Sequence, residues 1–202
     1  MPLIVAELTG YLSSLFAFEY FNEAGAPVYS QASMKYKTTD AANAWADVFV
    51  RYGKNATAAG APILLPSLEA NRPAMVASLT TAFLLQPNPA IMANLVSAVA
   101  GLFFLAPCAF ANGAVVSDVT LGQVAAATAL SAMPPNPSSS AAASTAAGIF
   151  DTLIKTFLVL LPAGPPPVTI LLASSGAWRS CLDRGTATCH CRERGSVRPN
   201  TA

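Results

Sequence analysis

The sequence predicts a mainly helical α+β fold. Apolar residues recur at helical spacing over much of the chain, prolines and glycines divide it into short segments, and two extended apolar stretches follow helices. Residues 1–60 are predicted to form an N-terminal helical part. Residues 61–173 are predicted to hold two helix-turn-helix-strand units, and residues 174–202 form a basic, cysteine-containing extended tail.

Two helices are predicted in the N-terminal part. The first covers residues 1–23, where apolar side chains recur every three or four positions, and the turn at Gly25 ends it. The second begins at Thr38, in a run of good N-cap residue types, and Gly53 is its expected end. A loop rich in Ala, Gly and Pro follows over residues 55–66.

The chain then repeats one pattern. One helical run reaches Gln-Pro-Asn-Pro at residues 86–89, and a later run reaches Pro-Pro-Asn-Pro at residues 134–137. A second helix follows each turn, and then an extended segment: residues 108–119, with an Asn-Gly pair that suits a hairpin, and residues 156–172, with a run of prolines. Chance similarity in an Ala- and Pro-rich chain is the alternative. A true repeat would bury helix faces together and leave strands that pair within or between subunits.

Charged residues are scarce in this chain. They make up 10% of the residues, against about 25% in ordinary soluble proteins. Ala, Ser, Thr and apolar groups must therefore cover much of the surface, so we expect lipid or neighbouring subunits to cover part of it. The formal net charge is only +1, which argues against whole-molecule steering to nucleic acid. The tail holds five arginines and two acidic residues, so it is basic while the rest of the chain is slightly acidic.

One stretch, residues 90–111, is apolar enough to raise a membrane-spanning alternative, since a bilayer needs about 20 such residues. Asn94 and Pro107 interrupt it, and no Lys/Arg cluster flanks it. Its large apolar residues favour one side of a helix: Ile91, Leu95, Val99, Leu102 and Phe103. We therefore predict a buried core helix. A membrane-inserting, holin-like protein that uses residues 90–111 stays open as the alternative.

Catalytic and nucleotide-binding arrangements are missing from the sequence. The only histidine, His190, lies in the tail, and Glu19 and Glu23 form the only acidic pair at helical spacing, which suits a solvated helix face. The glycines do not form a phosphate-binding loop. We expect a protein that is not an enzyme and uses no cofactor.

The weak candidates for metal ligands lie in the tail. Cys181, Cys189, His190 and Cys191 are the right ligand types for a tetrahedral zinc site. Adjacent ligands strain simultaneous coordination, and the usual pair of cysteines separated by two residues is absent. We expect a disordered or partner-bound tail with free thiols instead of a metal site.

Large apolar side chains at helical spacing are expected to pack the core, because they bury the most area. The predicted core residues are Trp45, Phe49, Leu79, Phe83, Leu95, Val99, Phe103, Phe150 and Ile154. Cys108 is expected to behave as a small buried hydrophobe.

Four segments carry a resemblance: AANAWAD at residues 41–47, LTTAF at 79–83, GLFF at 101–104 and FDTLIKT at 150–156. In their order along residues 5–170 they resemble small Ala-rich virion structural proteins of tailed bacteriophages and prophages. The resemblance implies a non-enzymatic subunit present in several copies in the particle, in the tail, neck, baseplate or shell.

The implied partners are copies of the chain itself and other virion structural proteins. Neither nucleic acid nor a membrane is expected as a partner. The implied location is the virion, after synthesis in the host cytoplasm, since no secretory signal is visible at the start of the chain. The sequence from residue 174 onward departs from the resemblance, so the resemblance implies no role for the cysteines and arginines there.

Overall fold

A computed structural model describes residues 3–17, 19–21, 23–30, 38–84, 89–105, 108–133, 138–162 and 169–171. Within this part the chain is mainly helical with short antiparallel strands, which confirms the predicted α+β class. The helices are α1 (Val5–Phe16), α2 (Thr38–Gly53), α3 (Leu65–Leu84), α4 (Pro89–Phe104), α5 (Gln123–Ser131) and α6 (Ser139–Lys155). The strands are β1 (Glu19–Phe21), β2 (Pro27–Ser30), β3 (Thr57–Ala58), β4 (Ala61–Pro62), β5 (Val115–Asp118), β6 (Leu158–Leu160) and β7 (Thr169–Leu171).

Each helix packs against the next one along the chain, and α6 returns to pack against α1. Helices α1 and α2 run antiparallel, because Glu7 contacts Asn55 while Tyr11 contacts Arg51. Helix α2 also contacts α4, and Phe49 of α2 lies against Phe150 of α6 with ring centroids 4.9 Å apart. Helix α2 is therefore the central helix of the fold.

Burial along α2 agrees with its central position. Its buried residues occur all around the helix instead of along one stripe: Ala42, Ala44, Ala46, Val48, Phe49, Val50, Tyr52 and Gly53. The helix ends at Gly53, as the sequence predicts. No side chain fits there, because a Cβ on Gly53 would lie 2.9 Å from the Phe103 ring.

Two helices followed by a strand occur twice in the described residues, first as α3, α4 and β5 and then as α5, α6 and β6. Strands β5 and β6 pair antiparallel, with Val115 opposite Leu160, and β7 adds to the other edge of β6. The strands of the two units thus pair within the chain. Both repeated turns fall at or inside gaps in the described residues, at 85–88 and 134–137.

The first helix is shorter than predicted. It ends at Phe16, and the following residues form the β1–β2 hairpin, in which Gly25 has a positive φ of 76°. Exposure alternates along β1, since Glu19 and Phe21 are exposed while Tyr20 is buried. That period of two belongs to a strand, and it ends the helical spacing that holds from Leu8 to Leu15.

The predicted loop at residues 55–66 contains a small hairpin, β3–β4. Ala59 and Gly60 form its turn, both with positive φ, as a tight hairpin turn with the twist of its strands requires. Helix α3 then begins at Leu65, slightly earlier than the predicted end of the loop.

The apolar stretch at residues 90–111 is helical only in its first part. Helix α4 spans 16 residues and ends at Phe104. Ala109 and Phe110 then form isolated antiparallel bridges with Val115 and Ile63. No helix in the described part of the chain is long and apolar enough to cross a bilayer.

One cluster of buried side chains runs from Leu8 to Val159, so the predicted N-terminal part and the two-unit region contribute to the same core. Seven of the predicted core residues are buried: Phe49, Leu79, Leu95, Val99, Phe103, Phe150 and Ile154. Trp45 and Phe83 are partly buried and pack against the cluster. Trp45 lies about 6 Å from the rings of Phe49, Phe83 and Phe150, which places it at the rim of an aromatic group.

Candidate functional site

Polar side chains gather around the C-terminal half of α2. Asp47 and Arg51 are four residues apart and share one face of the helix, while Tyr52 lies on the next face toward α6. We call this group the α2 network and define it as Tyr20, Asp47, Arg51, Tyr52 and Asp151 with the groups that bind them.

The first half of the α2 network joins the β1–β2 hairpin to α2. The Tyr20 hydroxyl donates to Asp47 Oδ2 at 2.7 Å, and the Arg51 guanidinium donates to Tyr20 Oη and to the Phe21 carbonyl, both at 3.0 Å. The same guanidinium lies 4.4 Å from the centre of the Tyr11 ring in α1, a cation–π contact. Burial and the hydrogen bond to Asp47 raise the pKa of Tyr20 well above its ordinary value, so its proton stays in place.

Ion pairs extend this half at the surface. Arg72 of α3 lies 3.5 Å from Asp47 and 3.7 Å from Glu69. Glu23 accepts a hydrogen bond from Lys54, and that bond lowers the pKa of the Glu23 carboxyl. The pairs tie α3 and the hairpin to α2, although exposed pairs of this kind each contribute little to stability.

The second half of the α2 network joins α2 to α6. Tyr52 is fully buried, and its hydroxyl donates to Asp151, which is itself only 8% exposed. Lys155 donates to the other carboxylate oxygen of Asp151 at 2.8 Å. Burial, followed by the hydrogen bond to Asp151, raises the pKa of Tyr52 far above its ordinary value. The buried carboxylate is therefore paired and hydrogen-bonded, as a charge in a core must be.

A smaller polar contact holds the end of α3 against α4. The Asn71 amide donates to the Leu102 carbonyl at 2.9 Å, and the Cys108 thiol lies 3.4 Å from the same oxygen. Burial raises the pKa of Cys108 to about 11, so the thiol stays protonated at neutral pH. Cys108 thus occupies the buried, unreactive position expected from the sequence.

These contacts hold elements of the fold together. Both buried tyrosines keep their protons, Asp151 accepts from two donors, and the Cys108 thiol is protonated. In the described residues each Lys and Arg lies in an ion pair with a carboxylate. The α2 network is a structural arrangement, and sequence reasoning missed it because its partners lie up to 99 residues apart.

The outer surface of α3, α4 and α5 differs from the α2 network because much of it has no charged side chains. The three helices pack side by side, α3 on α4 and α4 on α5, and their exposed residues from Pro73 onward carry no charge. We call this surface the uncharged face. Its exposed residues are Pro73, Ala74, Ala77, Ser78, Thr81 and Leu84 in α3, Ala93, Asn94, Ser97 and Phe104 in α4, and Val124, Ala125, Thr128, Ala129 and Ser131 in α5.

Large apolar side chains stand on this face among small ones. Val124 is 82% exposed and Leu84 is 70% exposed, and Phe104 is 41% exposed. Between Pro73 and Phe150 the sequence contains a single charged residue, Asp118, which lies in a strand and not on these helices. The lack of charge is a feature that this surface shares with the buried centres of protein interfaces.

The candidate metal ligands Cys181, Cys189, His190 and Cys191 lie outside the described residues. Within the described part, no three His, Cys, Asp or Glu side chains come together as a metal site would require. The acidic pair Glu19 and Glu23 belongs to the hairpin region instead of a helix face, and Glu23 is ion-paired.

Comparisons with protein-family models, with curated proteins and with solved structures give no match for this chain. Function is therefore argued from its own surfaces and contacts. Two regions carry that argument, the α2 network and the uncharged face.

Proposed function

We propose that this chain is a non-enzymatic structural subunit of a tailed-phage particle, present in multiple copies in the tail, neck, baseplate or shell. The observation that carries the proposal is the uncharged face. A lone subunit gains nothing from leaving Leu84 and Val124 in water, whereas a subunit in an assembly covers such groups with its neighbours.

The placement of the four segments that resemble phage virion proteins supports the proposal. They lie in α2, α3, α4 and α6, and three of them meet in one aromatic group, where Trp45 lies 6.3 Å from both Phe83 and Phe150. Three of the segments that carry the resemblance therefore contribute to the same part of the core.

The charges of the described residues favour protein partners over nucleic acid, although seven of the eleven basic residues of the chain, among them the five tail arginines, lie outside the described part. The described residues include eight acidic and four basic side chains, and the four basic ones are all ion-paired. A nucleic-acid surface needs a cluster of Lys and Arg that is free to meet phosphates. The described part of the chain offers phosphates a net negative surface instead.

Quantitative mass spectrometry of density-purified particles from the source lysate tests this proposal. We expect several copies of the chain per particle, at a fixed ratio to the major shell protein through successive gradient fractions. A non-structural protein from the same lysate gives the contamination level. Absence from particles, or recovery at that contamination level, contradicts the proposal, and recovery in the membrane fraction would favour the membrane-inserting alternative.

A further inference from the structure

We infer that the uncharged face is a docking surface for a second copy of this chain, with the same face contributed by both copies about a two-fold axis. The inference rests on the proposed function in one respect, because it assumes that copies of the chain meet. It goes further by naming the surface and its occupant.

The size of the face fits this occupant. Helix α4 has 16 residues and spans about 24 Å, while the part of α3 after Pro73 and helix α5 span about 18 Å and about 14 Å. With helices about 10 Å wide, the face covers on the order of 550 Å² in flat projection. Two copies therefore bury more than about 1,100 Å² together, which exceeds the roughly 1,000 Å² of a specific interface.

The charge distribution selects a copy of the chain over a charged partner. The exposed residues of the uncharged face carry neither sign of charge, and the whole chain has a formal net charge of only +1. The same face of a second copy therefore meets it without like-charge repulsion. A basic partner, including the arginine-rich residues 172–202, would find no carboxylate on this face, although Glu19 and Asp40 are exposed elsewhere.

The mixture of large and small side chains on the face suits packing against other helices better than contact with lipid. Val124 and Leu84 project from surroundings of Ala, Ser and Thr, and such small residues let the backbones of two helices approach closely. Asn94 and Ser97 lie on the same face, where a bilayer would leave their polar groups without water. Projecting side chains can fill the hollows over Ala125 and Ala129 of a facing copy.

Sedimentation velocity of the full-length chain in detergent-free buffer, from 1 to about 100 µM, tests the inference through a matched pair of variants. Val124→Glu places a charge on the face, and Val5→Glu places the same charge in the first turn of α1, away from it. Both residues are exposed, so both variants should fold. We expect self-association in the unmodified chain, at least a tenfold higher dissociation constant for Val124→Glu, and less than a twofold change for Val5→Glu.

Mixing experiments separate repulsion at the face from a folding defect. Val124→Lys alone should associate as weakly as Val124→Glu, and an equimolar mixture of the two should regain association because opposite charges then meet. Equal effects of Val124→Glu and Val5→Glu, or an unmodified chain that stays monomeric at about 100 µM, would overturn the inference.

Two further measurements test whether the arginine-rich tail or lipid occupies the uncharged face instead. Replacing Arg179, Arg184, Arg192, Arg194 and Arg198 with Gln in the full chain should leave association unchanged; a loss equal to that of Val124→Glu would assign the face to the tail. Binding to phosphatidylcholine vesicles that Val124→Glu abolishes would assign it to lipid. Particle mass spectrometry is independent of these results, so a chain that is abundant in particles but insensitive to Val124→Glu keeps the proposed function and loses only this interface.

Discussion

The two sides of the molecule use polar groups in opposite ways. Around α2, charged and hydroxyl groups lie at least partly buried and bind one another, so that Asp47, Arg51 and Tyr52 connect α2 to the hairpin, α1, α3 and α6. Over α4, α5 and the part of α3 from Pro73 onward, the exposed side chains are uncharged and include the large apolar Leu84, Phe104 and Val124. In the described part of the chain, the basic side chains therefore all join elements of the fold, and one surface is left without charge, where we propose that association occurs.

If the comparison is correct, truncation near α2 should cost far more than truncation on the uncharged face. Phe150→Ala removes a fully buried ring that packs on Phe49 and Trp45, and we expect a loss of about 3–5 kcal/mol in the free energy of unfolding. Thr128→Ala on the uncharged face should change it by less than about 0.5 kcal/mol. Urea unfolding measures both, and similar losses would contradict the assignment of the core.

Alkaline pH should destabilise the fold through its buried acids. The thiol of an unfolded cysteine ionises near pH 8.5, whereas Cys108 in the fold keeps its proton up to a pKa of about 11. Between these values only the unfolded state loses the proton, so the free energy of unfolding falls as the pH rises, by on the order of 3 kcal/mol for a full shift. Tyr20 and Tyr52 should add a further fall above about pH 10.

Two variants separate the contributions of Cys108 and Tyr52 to this loss of stability at alkaline pH. Cys108→Ala should remove the decrease in the free energy of unfolding between pH 9 and 10, and Tyr52→Phe should reduce only the decrease above pH 10. Denaturant unfolding at half-unit steps of pH measures the slopes. An unchanged dependence of the free energy of unfolding on pH in Cys108→Ala would show that the Cys108 thiol does not cause the decrease. The uncharged face has no titratable group and contributes nothing to this pH dependence.

A smaller difference in stability is expected between alanine substitutions at one glycine in α2 and one glycine in α4. A Cβ at Gly53 in α2 would meet the Phe103 ring at 2.9 Å and Leu68 at 3.2 Å, so Gly53→Ala should destabilise by about 1–3 kcal/mol. A Cβ at Gly101 in α4 would only touch Leu105 at 3.4 Å, and Gly101→Ala should be neutral or stabilise by up to about 1 kcal/mol. Thermal unfolding of both variants checks the difference, and equal melting temperatures would contradict it.

Local signals in the sequence predicted much of the fold. The bounds of α2, Thr38 and Gly53, agree with the sequence prediction, because residue types that favour helix ends are recognisable without knowledge of distant contacts. The strand at Tyr20 was missed because its burial depends on Asp47 and Arg51, which are about 30 residues away. A helical period therefore cannot be extended through a segment whose partner lies elsewhere in the chain.

The uncharged face and the α2 network also differ in how far the sequence predicts them. The lack of charge between Pro73 and Ser117 is visible in the sequence, so an association surface could be expected, although packing decides which residues are outside. The α2 network could not be expected, since the pairing of Tyr52 with Asp151 joins positions 99 residues apart. The i,i+4 spacings of Asp47 with Arg51 and of Asp151 with Lys155 are the local signals in the sequence for this network.

The most direct test of the central claim, that this chain assembles with copies of itself without lipid, is its mass in detergent-free buffer by light scattering after size exclusion. The monomer mass is 20.8 kDa. We predict a mass that rises to a whole multiple of this value as the concentration increases from about 1 to about 100 µM. A mass that stays at 20.8 kDa throughout, or a protein that remains in solution only with detergent, would contradict the account.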